Sequence, residues 1–151
     1  MANKILWEKE SEVSLLTTEL QNVADGSTTP DGADYDNATN QFRWADFLFY
    51  GTFDAACDAD AIVELHLFYK LDGTNYADGE DGDVAAPVAT ANSRHGIFII
   101  GADAGPIYQQ VLGVRLSPRA FRAALKLATG QDLTDVATHF LKMYPYNEEL
   151  Q

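Results

Sequence analysis

The sequence predicts an all-β chain: a two-sheet β-sandwich of jelly-roll type with long polar loops. Short apolar runs alternate with polar residues at a period of two, as in Val63-Glu64-Leu65-His66-Leu67. That period marks a strand with one buried face and one wet face. Such runs recur about seven times, separated by connections rich in Gly, Pro, Asp and Asn, which is the spacing of a sandwich. Aromatic residues make up 11% of the chain, with eight Phe and seven Tyr, and aromatic side chains favour pleated, half-buried surfaces.

The opening segment fits two patterns. Val13, Leu16, Leu20 and Val23 form a helical stripe, while Val13 alternating with Leu15, and the Thr17-Thr18 pair, fit a strand. Residues 1–14 are expected as an N-terminal arm or extended segment, and 15–151 as a single β-sandwich domain. Residues 24–40, ADGSTTPDGADYDNATN, are loop by composition.

The most aromatic stretch is 41–53, QFRWADFLFYGTF. It places Phe42, Trp44, Leu48 and Tyr50 on one face and Phe47, Phe49 and Phe53 on the other. A strand apolar on both faces is expected to be covered on both. The strand at 61–71 sends Val63, Leu65, Leu67, Tyr69 and Leu71 one way and Glu64, His66 and Lys70 the other, with Phe68 as the exception. His66 is therefore expected to face solvent. A loop with Asp72, Asp78, Glu80, Asp81 and Asp83 follows, too charged to bury.

Further strands are expected at 94–102 and 107–116, the second with Tyr108, Leu112, Val114 and Leu116 on one side. Gly105-Pro106 and Ser117-Pro118 punctuate them. Residues 120–128, AFRAALKLA, have helical composition but alternate Phe121, Ala123, Leu125 and Leu127 against Arg122, Ala124 and Lys126. Pro118 and Thr129-Gly130 bound a strand-length run, so a strand is predicted. The last strand is expected over 136–144, stopped by Pro145.

Length and charge exclude several classes. A chain of 151 residues with 46% hydrophobic content is sized for one domain with a real core. The single cysteine, Cys57, excludes an internal disulfide and is too few for a thiolate zinc site. No apolar run approaches a membrane span, and the charged start MANKILWEKESE is unlike a secretory signal. A cytoplasmic origin and no membrane partner are expected. The net charge of −13 opposes non-specific nucleic-acid binding. It is uneven: residues 1–83 carry 4 basic and 18 acidic side chains, and the remainder 6 and 5. Arg115, Arg119, Arg122 and Lys126 are crowded together, which hints at a surface for a neighbour's acidic loop.

No catalytic constellation stands out, so no enzyme activity, cofactor or metal is expected. His66, His95 and His139 lie on separate predicted strands without HxH or HExxH spacing. The loop DGTNYADGEDGD lacks the oxygen spacing of an EF-hand. Cys57 sits among aspartates, which disfavours a thiolate. Trp44, Tyr50, Tyr76 and Tyr108 are the residues that would stack on a sugar if the sandwich were a carbohydrate-binding module.

The order DYDNATNQFRWADF, VELHLFYKLDGTNYADG, FRAALKLATGQDL and MYPYNEEL resembles small virion structural proteins of tailed bacteriophages. The likeness runs from about Leu15 to the end of the chain. It implies a capsid decoration, or cement, protein: a sandwich subunit located in the virion, braced on the shell as a homo-dimer or homo-trimer beside the major capsid protein. Alternatives are a tail, collar or head–tail component, or a carbohydrate-binding module. The resemblance carries no catalytic residues. Interface candidates are the aromatics Phe42, Trp44, Phe47 and Phe49, expected as core or subunit contacts, and the bases Arg115, Arg119, Arg122 and Lys126.

Overall fold

The structure, a computed structural model, describes residues 5–72, 75–76 and 87–150. Among the described residues eight strands form in chain order: β1 Ile5–Lys9, β2 Val13–Leu16, β3 Trp44–Gly51, β4 Ile62–Tyr69, β5 Arg94–Ile99, β6 Ile107–Arg115, β7 Phe121–Ala128 and β8 Phe140–Leu150. The same residues form a 3₁₀ turn, Thr18–Leu20, and a short helix, α1 Asn37–Asn40. One sheet has the order β1-β8-β3-β6 with β2 also paired to β8, and the other the order β5-β4-β7. Every strand pair is antiparallel. These interleaved orders are those of a jelly roll, so the fold is the all-β, two-sheet sandwich that the periodicity predicts.

The core lies between the sheets. Alternate residues of β3 (Ala45, Phe47, Phe49), β4 (Val63, Leu65, Leu67), β7 (Ala123, Leu125, Leu127) and β8 (Leu141, Met143) are buried, with Phe98 of β5. Each buried Leu or Phe contributes about 1.5–3 kcal/mol relative to exposure. Gly96 lets β5 approach β6: a Cβ there would sit 2.7 Å from a Val111 methyl. The free edge of β7 is covered by the loop after β2. Thr29, Gly32 and Tyr35 donate their N–H groups to the carbonyls of Leu125, Ala123 and Phe121. Segment 27–35 thus occupies the place of an outer strand and blunts an edge that would otherwise be open to pairing. Residues 5–9 and 13–16 of the opening segment pair with β8 of the same chain.

Three expectations need correction. Tyr108 and Leu112 do not share a side with Val114 and Leu116: the first two are exposed and the last two buried. The pairing of β3 with β6 shifts between Ala45 and Phe47, so Asp46 faces the extra residue. Gly113 adopts φ +65° there and donates its N–H to Asp46 Oδ1 at 2.8 Å. This β-bulge inverts the facing of every later residue. Pro145 does not stop the last strand, and 136–139 do not begin it. The Pro145 carbonyl accepts from Glu10 N–H. Its missing N–H faces that same side, where the pairing passes from β2 to β1, so the ladder loses little. Leu71 is exposed, because β4 ends at Tyr69.

Phe68 breaks its strand's alternation for a reason. On the outer face of the smaller sheet it packs with Ala124 and Tyr76 in a second, small apolar cluster. Tyr76 reaches that position from the loop after β4 through a bridge with Lys70. Of that loop's acidic residues, Asp78, Glu80, Asp81 and Asp83 lie outside the described residues; Asp72 accepts from the backbone and side-chain nitrogens of Asn75.

Candidate functional site

Two surfaces stand out, both built on β3 and β6. The first is the outer face of the larger sheet. Tyr50 lies in register with Tyr108 on one side and Phe140 on the other. The ring centroids are 4.5 Å apart for Tyr50–Tyr108 and 5.3 Å for Tyr50–Phe140. The result is a row of three rings across three strands, with Tyr108 63% exposed and Leu112, four residues further along β6, 62% exposed. Lys142 sits 4.7 Å over the Phe140 ring and donates to Glu12 Oε1 at 2.7 Å. Tyr144 donates to Glu12 Oε2 at 2.9 Å. The Lys142 and Tyr144 hydrogen bonds hold the Glu12 carboxyl below its usual range.

The second surface is a cleft of about 590 Å³ between residues 41–44 and 115–118, walled by Phe42, Trp44 and Pro118 and rimmed by Arg43 and Arg115. Its two lips are pinned by Asn37. Asn37 Oδ1 accepts the Phe42 N–H at 2.9 Å, and Asn37 Nδ2 donates to the carbonyls of Phe42 at 2.9 Å and Ser117 at 2.6 Å. Asp36 holds Asn37 in place by capping α1, accepting the N–H groups of Ala38 and Thr39. Gln41 then turns the chain at φ 57° into the cleft. Sequence reasoning missed Asn37. The Asp36-to-Thr39 spacing marks the helix start, but nothing local announces a partner 80 residues away.

The eight interface candidates separate. Phe42 and Trp44 are partly buried at the cleft. Phe47 and Phe49 are fully buried between the sheets, so they are core residues and offer no surface to a subunit. Arg115 and Arg119 are exposed. Arg122 is committed within its own chain, to Asp31 Oδ2 at 2.6 Å and Asp34 Oδ1 at 2.7 Å, over the Tyr76 ring. Lys126 shares the outer face of β7 with Arg122, opposite Glu64. Arg43, equally exposed at the cleft, was not singled out by sequence because it stands apart from the basic run.

The Arg122 network is the strongest charge cluster among the described residues. Lys70 donates to Asp34 Oδ2 at 2.5 Å, and Tyr76 also donates to Asp34. Burial alone would raise the Asp34 carboxyl, but the bonds from Lys70, Tyr76 and Arg122 outweigh it and hold the group at about 2. For Arg122, burial works against the charge and the two aspartates prevail, raising it.

His66 is buried, not solvent-facing. Its Nδ1 lies 3.0 Å from Ser93 Oγ, and its Nε2 lies 3.3 Å from Glu64 Oε2, which also accepts from Arg94 through Oε1. A carboxylate only accepts, so Nε2 carries the proton; Nδ1 faces the Ser93 hydroxyl, whose single hydrogen is shared between it and the Thr90 carbonyl. Burial pushes His66 down, against the pull of Glu64. A Ser–His–Glu sequence of contacts invites a catalytic reading. Ser93, however, is 2% exposed and also bonded to Thr90, so no substrate reaches it. His139 is buried with Nδ1 donating to the Leu20 carbonyl and Nε2 accepting the Thr52 N–H, with the Thr134 hydroxyl 3.1 Å from the same nitrogen. Cys57 is buried, and burial, then the charges of Asp58, Asp103 and Asp25, push its thiol up. Among the described residues no group of three or more His, Cys, Asp or Glu side chains is placed to hold a metal ion. No helix among them is long and apolar enough to cross a membrane.

No family model matches the chain, and no curated protein matches it. Among solved structures it is similar to the CBM36-1 domain of a multidomain xylanase from the hindgut metagenome of Trinervitermes trinervoides. That likeness has 14% identity over 94% of this chain and 96% of that one, with a TM-score of 0.48. It is also similar to a carbohydrate-binding module CBM36 in complex with calcium and xylotriose, with 10% identity, all of both chains and a TM-score of 0.40. A third is the SPBc2 prophage-derived protein YomS, with 9% identity over 94% and 96% and a TM-score of 0.41. At such identities and scores the likenesses carry no argument about what this chain does.

Proposed function

We propose that this chain is a structural component of a tailed-bacteriophage virion, bracing the capsid shell as a small homo-oligomer beside the major capsid protein. It has no enzymatic role in this reading. The observation that carries it is the kind of surface the fold offers. The outer sheet face exposes the large apolar side chains Tyr108 and Leu112 along with a row of rings, on a two-sheet frame. Flat faces with aromatic anchors suit protein neighbours, and a shell multiplies each modest contact by many copies. The resemblance of DYDNATNQFRWADF and FRAALKLATGQDL to virion proteins supplies the class of assembly. The test is the copy number of this chain in purified particles, together with the heat stability of particles lacking it. Many copies per particle and earlier rupture without them are expected. A single ring of copies at a portal or tail overturns the decoration reading in favour of a tail or collar component.

One observation favours a second reading. The row Tyr108–Tyr50–Phe140 gathers three aromatic rings on one sheet face, with Tyr108 exposed, the type of side chain on which a sugar ring stacks. A glycan array then gives binding that is lost in Tyr108→Ala; silence across the array removes this alternative.

A further inference from the structure

Part of the cationic charge of this acidic chain is committed at home. Lys70, Arg94, Arg122 and Lys142 each bond a carboxylate of the same chain. Arg43, Arg115 and Arg119 do not: all three are exposed, and none forms an ion pair with a described residue. Two of them rim the cleft whose walls are Phe42, Trp44 and Pro118. A groove with apolar walls and uncompensated guanidinium groups fits a carboxylate-bearing protein surface.

The opposite end of the same molecule is such a surface. β3 runs from Trp44 at the cleft to Gly51, and β6 returns from Ile107 to Arg115. At the far end the connections 52–61, 100–106 and 129–139 come together: Phe53 bridges Leu133, Phe53 N–H bonds Ala104, and Asp58 N–H bonds Thr129. These connections carry Asp54, Asp58, Asp60, Asp103, Asp132 and Asp135 and not one Lys or Arg. All six carboxylates are exposed. The field is felt locally, for Asp58 and Asp103 add to burial in raising the Cys57 thiol. An eight-residue strand spans roughly 25 Å, so this pole cannot reach its own cleft.

We infer that the acidic pole of one copy docks on the Arg43–Arg115 cleft of the next, joining copies head to tail. The inference deepens the proposed structural role and rests on it for its biological setting. A head-to-tail contact is heterologous, and it closes into a ring where the rotation per copy allows. With a net charge of −13, whole copies repel at long range while the pole and cleft attract at contact. Salt near 0.1 M, with a Debye length of about 10 Å, screens the first more than the second. Association therefore peaks at intermediate ionic strength and falls toward 1 M.

The experiment is sedimentation velocity of the full chain across salt concentrations, with two double variants. Arg43→Glu/Arg115→Glu reverses the cleft, and Asp54→Lys/Asp60→Lys takes the pole from six negative charges to a net of two, at exposed carboxylates with no side-chain hydrogen bond among the described residues. Each variant alone is expected to associate at least tenfold more weakly than wild type. A one-to-one mixture regains association as pairs, because the unaltered pole of the first variant meets the unaltered cleft of the second. Unchanged thermal melts show that both variants fold. A wild-type chain that stays at 16.6 kDa at every salt concentration overturns the inference, as do single variants that still associate or a mixture that does not. If such a monomer still binds particles, the virion role stands while head-to-tail docking falls; association without particle binding does the reverse.

Discussion

Replacing Asn37 by Ala tests whether one buried amide holds the cleft together. The side chain is fully buried and makes three hydrogen bonds, to Phe42 N–H, Phe42 C=O and Ser117 C=O. At roughly 1 kcal/mol each, their removal costs about 3 kcal/mol. Water entering the vacated space next to two half-buried loops restores part of this, leaving a loss of about 2 kcal/mol. For a chain of this length that is a fall in melting temperature of about 4–8 °C. Urea unfolding measures it, with an unchanged m-value expected because the core is intact. Asn37→Asp sharpens the test. It keeps the acceptor for Phe42 N–H but turns a carboxylate oxygen toward two carbonyls, so at pH 7 it is at least as destabilising as Ala. Acidification toward pH 4 protonates the carboxyl, returns one donor and narrows the gap to wild type. A loss below about 0.5 kcal/mol for Asn37→Ala, or an Asn37→Asp deficit that ignores pH, refutes the reasoning.

The remaining predictions concern the core, the bulge and three titrating groups. Phe49→Ala costs about 3–5 kcal/mol in chemical denaturation; a stable variant that has lost only partner binding would return Phe49 to the surface. Gly113→Ala meets open space, with only the Tyr146 hydroxyl at 3.9 Å, but must hold φ +65°. It costs about 1–2 kcal/mol, and a neutral result means the strand does not bulge there. Burial depresses both His66 and His95. The unfolded chain takes up their protons first as pH falls below about 6.5. Stability is therefore full above that pH and declines below it, and His66→Gln flattens the slope of unfolding free energy between pH 7 and 5.5. Asp34 behaves as a depressed carboxylate. Its contribution is complete above about pH 4 and is lost as pH falls through about 2. Its side chain is 33% exposed, so after solvent screening the loss is about 1 kcal/mol. An Asp34→Asn chain whose acid limb matches wild type would contradict the Arg122–Asp34–Lys70 assignment.

The strands legible in the sequence are those whose partners do not disturb their period. β4 and β7 read correctly as strands because their inward residues recur at every second position and the two pair with each other over their whole length. The facing of Tyr108 was not legible: the shift at Gly113 depends on where Asp46 falls in a strand far away in sequence. His66 looked wet because its cover, Ser93 and the Phe68–Tyr76 cluster, arrives from distant or loop positions. Phe47 and Phe49 were legible as one face, but periodicity cannot say whether a chain's own second sheet or a neighbour covers it. The basic run 115–126 suggested one surface. Strand geometry divides it: Arg115 and Arg119 belong to the cleft end, while Arg122 turns to Asp31 and Asp34.

The place of β8 governs the order in which this molecule acquires its shape. Among the described residues β1 and β2 have no strand partner except β8, and β8 lies between them and β3. The first strands of the chain must therefore wait for residues 140–150 before the larger sheet exists. Nearly the whole chain separates the two halves of that pairing, as in Ile5 opposite Leu150. Contacts of such range make folding slow, on the scale of milliseconds to seconds. During synthesis the apolar edge of β3 stays open until the last strand arrives. A chain shortened by β8 would not be a smaller sandwich but one without a closed sheet.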